Sequence, residues 1–297
     1  MMEQDHISSF EKASPTLTGL AYRILGSFAE AEDAVQDTFL KWSQADKDKI
    51  LNPKSWLMTV CTRRSLDLLK ASHKSRVAYV GNWLPEPVGD DFKESPEDQT
   101  ELASSVTTAF LLLLERLTPK ERAAYLLREI FDYSYADLSG VLEASETTCR
   151  KLVSRAKKNV EASKVRQETP PDRQEELLKV FQAALLSGSP DELGTLLSED
   201  IQLVADSGGK VIAVQDILQG KAGVLDFTLQ TLGPVWREYE QIVTRLNGQL
   251  GLVLLQQGKV TAAVTFDYDD TNQLCNVYIM RNPDKLVRIE QSLRIVQ

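Results

Sequence analysis

Between residues 7 and 25, Phe10, Ala13, Leu17, Leu20 and Ile24 recur at three- and four-residue spacing, which predicts a helix with one apolar face. Gly26 and Ser27 end it. A second helix is predicted from about Ala29 to Trp42, with Phe28, Ala31, Val35, Thr38, Phe39 and Trp42 turned inward and Glu30, Glu32, Asp33, Gln36 and Asp37 outward. A polar loop over residues 43–53 follows. Pro53 then opens a third helix that runs to about Ser72, burying Leu57, Val60, Cys61 and Leu68 and showing Lys54, Arg63, Arg64 and Lys70. Regular periodicity stops at residues 77–100, which hold Gly81, Pro85, Pro87, Gly89, Pro96 and the pair Asp90 and Asp91, the composition of a linker. Within it Tyr79, Val80, Trp83 and Leu84 form an apolar knot that needs a surface to cover it.

A helix over residues 101–116 leads into the most strongly marked stretch, residues 118–160. Thr118, Pro119 and Glu121 make a helix start with a capping box, and Ser134 with Asp137 makes another. Ser145 opens a third helix whose face of Cys149, Leu152, Val153, Ala156 and Val160 is apolar. Its other face carries Thr147, Thr148, Arg150, Lys151, Ser154, Arg155 and Lys158. A short helix, a tight turn and a longer polar-faced helix match the helix-turn-helix, whose second helix enters the major groove N-terminus first. The same pattern also fits a helical hairpin with a solvated basic face.

Beyond residues 166–173, with Pro170 and Pro171, the character changes. Helices are predicted at 172–186 and 190–197, and strands at 201–204, 211–214, 240–246, 251–256, 261–268, 275–280 and 286–289. The predicted fold class is therefore multidomain: two all-α domains, residues 1–76 and 101–165, followed by an α+β domain, residues 174–297, with a curved antiparallel sheet. Residues 77–100 and 166–173 link them.

The net charge of −9 argues against a nucleic-acid partner only until it is placed: up to residue 166 there are 23 basic against 25 acidic residues, and beyond it 11 against 18. Acidity belongs to the C-terminal part, while basic residues cluster at 63–76 and 150–166, and local clusters make the electrostatic footprint. Three separated cysteines and two histidines give no metal-ligand spacing and little for histidine catalysis. No apolar run is long enough to span a membrane, and the N-terminus has no secretory pattern, so a cytoplasmic location is expected. No cofactor is implied.

Tyr22 to Ser27, the run AEAEDAVQDTFLKW from Ala29, Ser55 to Val60 leading to Leu66–Leu69, and residues 118–160 together resemble a bacterial sigma factor of the extracytoplasmic-function type. The segment from Tyr79 through WLPEP to Pro87 is similar to the linker of a subgroup bearing a SnoaL-like C-terminal extension, an α+β cone related to the nuclear-transport-factor-2 fold. That subgroup also carries an Asp-Gly-Gly-Gly-Lys loop and an Asn-Pro-Asp-Lys-Leu segment. Here these stand as Asp206, Ser207, Gly208, Gly209, Lys210 and as Asn282, Pro283, Asp284, Lys285, Leu286, with Ser207 where the subgroup has glycine.

The resemblance implies RNA polymerase core, through its β′ and β subunits, and promoter DNA as partners. Glu32, Asp33, Gln36 and Asp37 are then expected to face polymerase. Thr147, Thr148, Arg150, Lys151, Ser154 and Arg155 are expected to read the upstream promoter element as duplex. Lys54, Trp56, Arg63 and Arg64, beside the 43–53 loop, are expected to meet the single strand. Trp83, Leu84, Pro85, Asp206, Gly208, Gly209, Lys210, Asn282, Pro283, Asp284 and Lys285 are expected to join the linker to the C-terminal domain and regulate the rest. Two other readings remain at this point: a regulator that only binds DNA, and a small-molecule isomerase or cyclase carrying a DNA-binding module, with Asp206 or Asp267 as acid or base.

Overall fold

Ser27 has extended backbone and its hydroxyl accepts the Glu30 amide at 3.4 Å, so the chain turns sharply between α1 (Met2–Leu25) and α2 (Phe28–Gln44). With α3 (Pro53–Val77) they form a three-helix core in which Leu17, Leu20, Ile24, Ala31, Trp42, Leu57 and Cys61 are buried. In this computed structural model residues 2–89, 92, 106–162 and 169–296 are described. Two compact units result: residues 1–78, 93–106 and 110–165, and residues 79–92, 107–109 and 166–297.

Two side-chain predictions in this core need correction. Phe39 is 37% exposed and lies against Phe10, ring centroids 4.9 Å apart, while Ala34 takes the buried place. Positions 31, 34, 35, 38 and 42 follow the 3.6-residue period more closely than 39 does. On α3, Met58, Leu66 and Leu69 are buried where Val60 and Leu68 were expected, because α3 packs against α1, α2 and two later helices of the same unit and buries a wider arc.

The rest of the first unit is α4 (Thr108–Glu115) from Phe110 onward, α5 (Pro119–Tyr125) with a wide turn over Leu126–Ile130, α6 (Tyr135–Leu142) and α7 (Glu146–Ala162). Both expected capping boxes are present, on Thr118 with Glu121 and on Ser134 with Asp137. Glu143 ends α6 in the left-handed conformation, and Ser145 Oγ accepts the Thr148 amide at 3.2 Å to start α7. Arg122 is buried in α5. Its guanidinium donates to Ile24 O at 2.7 Å and pairs with Glu115 at 2.6 Å, tying α5 to the end of α1. The expected helix start at residues 101–105, the pair Asp90 and Asp91, and residues 166–168 of the 166–173 linker lie outside the described residues.

The second unit holds α8 (Pro171–Ser187), α9 (Pro190–Leu196), α10 (Lys221–Phe227), α11 (Gly233–Trp236), α12 (Pro283–Val296) and a six-stranded sheet. Its strands are β1 (Leu197–Asp206), β2 (Leu218–Gln219), β3 (Glu240–Leu246), β4 (Gln249–Gln256), β5 (Lys259–Tyr268) and β6 (Leu274–Met280), in the order β2-β1-β6-β5-β4-β3. Asn247–Gly248 and Gln257–Gly258, all at positive φ, turn the β3-β4 and β4-β5 hairpins. The sheet is mixed rather than antiparallel: the meander brings β6 alongside β1 in the same direction. Residues 211–214 form no strand, and residues 286–289 lie in α12. There Pro283 occupies the first turn and Leu286 and Ile289 are one helical turn apart on the buried side, a spacing that the short run Leu286, Val287, Arg288, Ile289 leaves ambiguous. Phe181 of α8 meets Phe266 of β5 edge-on at 5.1 Å, within a core that includes Leu185, Ile201, Trp236 and Val277.

Candidate functional sites

On α7 the predicted duplex-reading side chains Thr147, Thr148, Arg150, Lys151, Ser154 and Arg155 are all exposed, and Cys149, Val153, Ala156 and Val160 are buried on the opposite side. Thr148 also takes part in the helix cap, its hydroxyl 2.9 Å from Ser145 Oγ. Arg150 is held on two sides. Its guanidinium pairs with Glu146 one turn back at 3.4 Å and lies 4.1 Å from the centre of the Tyr135 ring. Residue patterning gave Tyr135 no role, since an aromatic in the first turn of a helix reads as ordinary packing.

The predicted polymerase face is exposed at Glu32, Asp33 and Gln36, whereas Asp37 is half-buried and accepts Arg64 Nε at 2.6 Å. A residue assigned to polymerase and one assigned to DNA thus neutralise each other. Arg63 is also engaged: Nη2 donates to Gly140 O at 2.7 Å, Nε to Val141 O at 3.1 Å, and Nη1 pairs with Glu143 at 3.0 Å. It therefore closes the carbonyl end of α6, the favoured place for a cation, instead of presenting a bare charge to a single strand. Lys54 is exposed. Trp56 packs on Trp42 with centroids 5.5 Å apart, and in the loop before it Leu51 is fully exposed.

In the second unit, the predicted linker residues converge on Asp206 at the end of β1. Its carboxylate has no exposure and accepts four hydrogen bonds: Tyr79 hydroxyl at 2.6 Å, Lys285 Nζ at 2.8 Å, Leu84 N at 2.9 Å and Gly208 N at 3.0 Å. Lys285 donates also to Leu84 O at 2.6 Å, with its ammonium 4.4 Å from the Trp83 ring and 5.0 Å from the Tyr79 ring. Asn282 Nδ2 donates to the Tyr79 hydroxyl at 2.8 Å, and the amides of Arg281 and Asn282 cap Asp206 O. Burial, with the adjacent Asp206 carboxylate, pushes the Tyr79 phenol above its ordinary range.

Gly208 and Gly209 have positive φ of 58° and 70°, and a Cβ on them would lie 2.5 Å from Asn282 Nδ2 and 2.9 Å from Val80 Cβ. Both need glycine. Ser207 does not adopt positive φ, so its side chain is accommodated where the related subgroup has glycine. Lys210 pairs with Asp284 at the exposed rim, Pro283 begins α12, and Pro85 is buried. Further along, Val88 accepts the Asn247 amide at 2.8 Å and donates to its side chain at 3.4 Å. Sequence reasoning missed that pair, and it counted Tyr79 as apolar although its hydroxyl carries the contact. Within the knot, Val80 stays 56% exposed.

Residues 10–75 match Sigma-70 region 2, and residues 107–160 match Sigma-70, region 4. Over 295 residues the chain is 33% identical to the ECF RNA polymerase sigma factor SigJ of Mycobacterium tuberculosis (strain ATCC 25618 / H37Rv), covering 94% of this chain and 92% of that protein. The chain belongs to the ECF RNA polymerase sigma factors. This sigma factor is also 29% identical to the probable ECF RNA polymerase sigma factor SigI of the same organism, over 72% of its own length and 74% of the relative's. Its fold is similar to the crystal structure of Mycobacterium tuberculosis SigJ, with a TM-score of 0.74, 30% identity, and coverage of 95% of this chain and 98% of that one. Membership makes it a promoter-specific initiation factor that binds RNA polymerase core and promoter DNA. The SnoaL-like, mixed-sheet α+β extension belongs to that likeness. Among the described residues no helix is long and apolar enough to cross a membrane.

Proposed function

We propose that the sigma factor holds the β′ subunit of polymerase through the Glu32, Asp33 and Gln36 face, reads the upstream element with α7, and is regulated by its C-terminal domain acting as a clamp on its own 79–88 segment. What supports the clamp is the buried Asp206 carboxylate with its four donors, two of them, Tyr79 and Leu84, from that segment. A buried charge is tolerable only when paired and fully hydrogen-bonded, so releasing the segment strips Asp206 and Lys285 of partners together. The segment is therefore held or released as a unit, which is how a two-state control element behaves.

The cyclase or isomerase reading has less support. Asp206, the acid it would need, is committed to Lys285 and the linker, and Asp267 lies near Asn276 Nδ2 at 3.4 Å. The domain works by docking, not by bond making. Run-off transcription with purified core polymerase, comparing the full chain, a chain lacking residues 172–297 and Trp83→Ala, tests the proposal. Both variants should differ from wild type in the same direction, Trp83→Ala by less. Equal activity in all three would refute regulation by this contact.

A further inference from the structure

Tyr135, the first residue of α6, has a guanidinium over its ring from each of two elements: Arg128, 5.1 Å from the ring centre, and Arg150 of α7 at 4.1 Å. Arg128 is fixed in turn by its bond to Tyr133 O at 2.8 Å, and the Ser134–Asp137 capping box fixes where α6, and hence the ring, begins. A cleft of about 340 Å³ beside this stack is lined by Tyr135, Arg150, Ser154, Lys158 and Glu161 and by Lys157 in its 2.7 Å pair with Glu129, so that Arg150 and Lys158 are its cations outside that pair. Arg150 is thus an exposed cation whose long side chain is already held over the ring before any ligand arrives.

We propose that Tyr135 is a positioning residue for DNA binding: its ring holds the Arg150 guanidinium in the orientation from which it meets a duplex phosphate at the edge of this cleft. An arginine free in solvent loses rotamer freedom when it binds, whereas one stacked in advance on a ring loses less per contact made. Glu146 completes the arrangement. Its weak exposed pair holds the cation while no phosphate is present and yields to one, since a phosphate is the stronger bidentate acceptor. The inference rests on the assignment of α7 as the reading helix.

The test uses the full chain and a short fluorescein-labelled DNA duplex of random sequence, followed by anisotropy across a salt series. Arg150→Ala should weaken binding and flatten the salt slope by about one unit. Tyr135→Ala should weaken it about two- to fivefold, the loss expected for an exposed cation–π contact. It should leave the folded population unchanged by circular dichroism. Tyr135→Phe, which keeps the ring, should bind as wild type, and in an Arg150→Ala background Tyr135→Ala should cost nothing further. An equal loss in both backgrounds, or a Phe variant as weak as Ala, would overturn the positioning role. If Arg150→Ala is itself silent, the reading-helix assignment falls and takes the proposal with it.

Discussion

Replacing Asp206 by Asn changes almost no volume and removes one charge from the place where the linker is held. Oδ1 accepts the Tyr79 hydroxyl and the Gly208 amide, and Oδ2 accepts the Leu84 amide and the Lys285 ammonium. An amide can offer only one acceptor oxygen, so whichever way it is turned, its NH2 confronts two groups that were donors. The lesser loss turns the NH2 toward Tyr79, whose hydroxyl can rotate and accept, leaving Gly208 unbonded. Lys285 then keeps a neutral oxygen, Leu84 O and two ring faces in place of a carboxylate. Breaking one side of a buried ion pair costs about 3–5 kcal/mol, and the surviving acceptors favour the lower end. At about 3 kcal/mol the docking equilibrium shifts by roughly two orders of magnitude. Hydrogen exchange reads this directly, because the Leu84 amide is bonded to the substituted carboxylate and the Val88 amide to Asn247. Both should lose protection by about 100-fold, while core strand β5 should not change. Adding Lys285→Met removes the stranded ammonium and should restore part of the protection. Unchanged Leu84 and Val88 exchange in Asp206→Asn, or a double variant worse than both singles combined, would refute the reasoning.

Gly208→Ala forces a Cβ to within 2.5 Å of Asn282 Nδ2 at a positive φ and should weaken linker protection by about 1–3 kcal/mol, read by the same exchange experiment. Because the docked Tyr79 phenol is raised above the ordinary tyrosine value of about 10, its contribution to docking is complete below that pH and is lost as pH rises through the docked value; linker exchange, corrected for intrinsic rates, should therefore rise on the alkaline side, and Tyr79→Phe should abolish that extra dependence. Asp33→Lys should weaken polymerase-core association in a pull-down without lowering thermal stability by more than about 0.5 kcal/mol, because Asp33 is exposed; intact core affinity would count against that face. Glu143→Lys sets a like charge against Arg63 and should lengthen the α3–α6 distance measured between spin labels at low salt, with the effect shrinking as salt is added.

The helices of the first unit were legible in the sequence because their stop and start signals are local. Gly26–Ser27, Thr118–Pro119 with Glu121, and Ser134 with Asp137 act within one turn of themselves, and structure and sequence agree there. The same holds for the exposed face of α7, where spacing alone separates Arg150 and Lys151 from Cys149 and Val153. The C-terminal sheet was legible only in part. Strand lengths and turn residues mark β3 to β6, but nothing in a strand states which neighbour it will meet, so the parallel β1–β6 pair belongs to tertiary structure. The run at 286–289 was ambiguous for a related reason: four residues fit either period until Pro283 and the buried side of Leu286 and Ile289 choose the helix.

The chemistry divides the same way. Sequence motifs marked Asp206, Gly208, Asn282, Lys285 and the WLPEP segment as belonging together, yet not how. That Asp206 is a fully buried acceptor for Tyr79 and Leu84, that Lys285 lies between two aromatic rings, and that Arg63 is committed to the end of α6 depend on groups more than 70 residues apart. Only the folded chain fixes those distances. Charge placement and helix phase are encoded residue by residue, whereas burial and hydrogen-bond partnership are properties of a position in space, and it is these that turn an aspartate in a glycine-rich turn into the anchor of a linker.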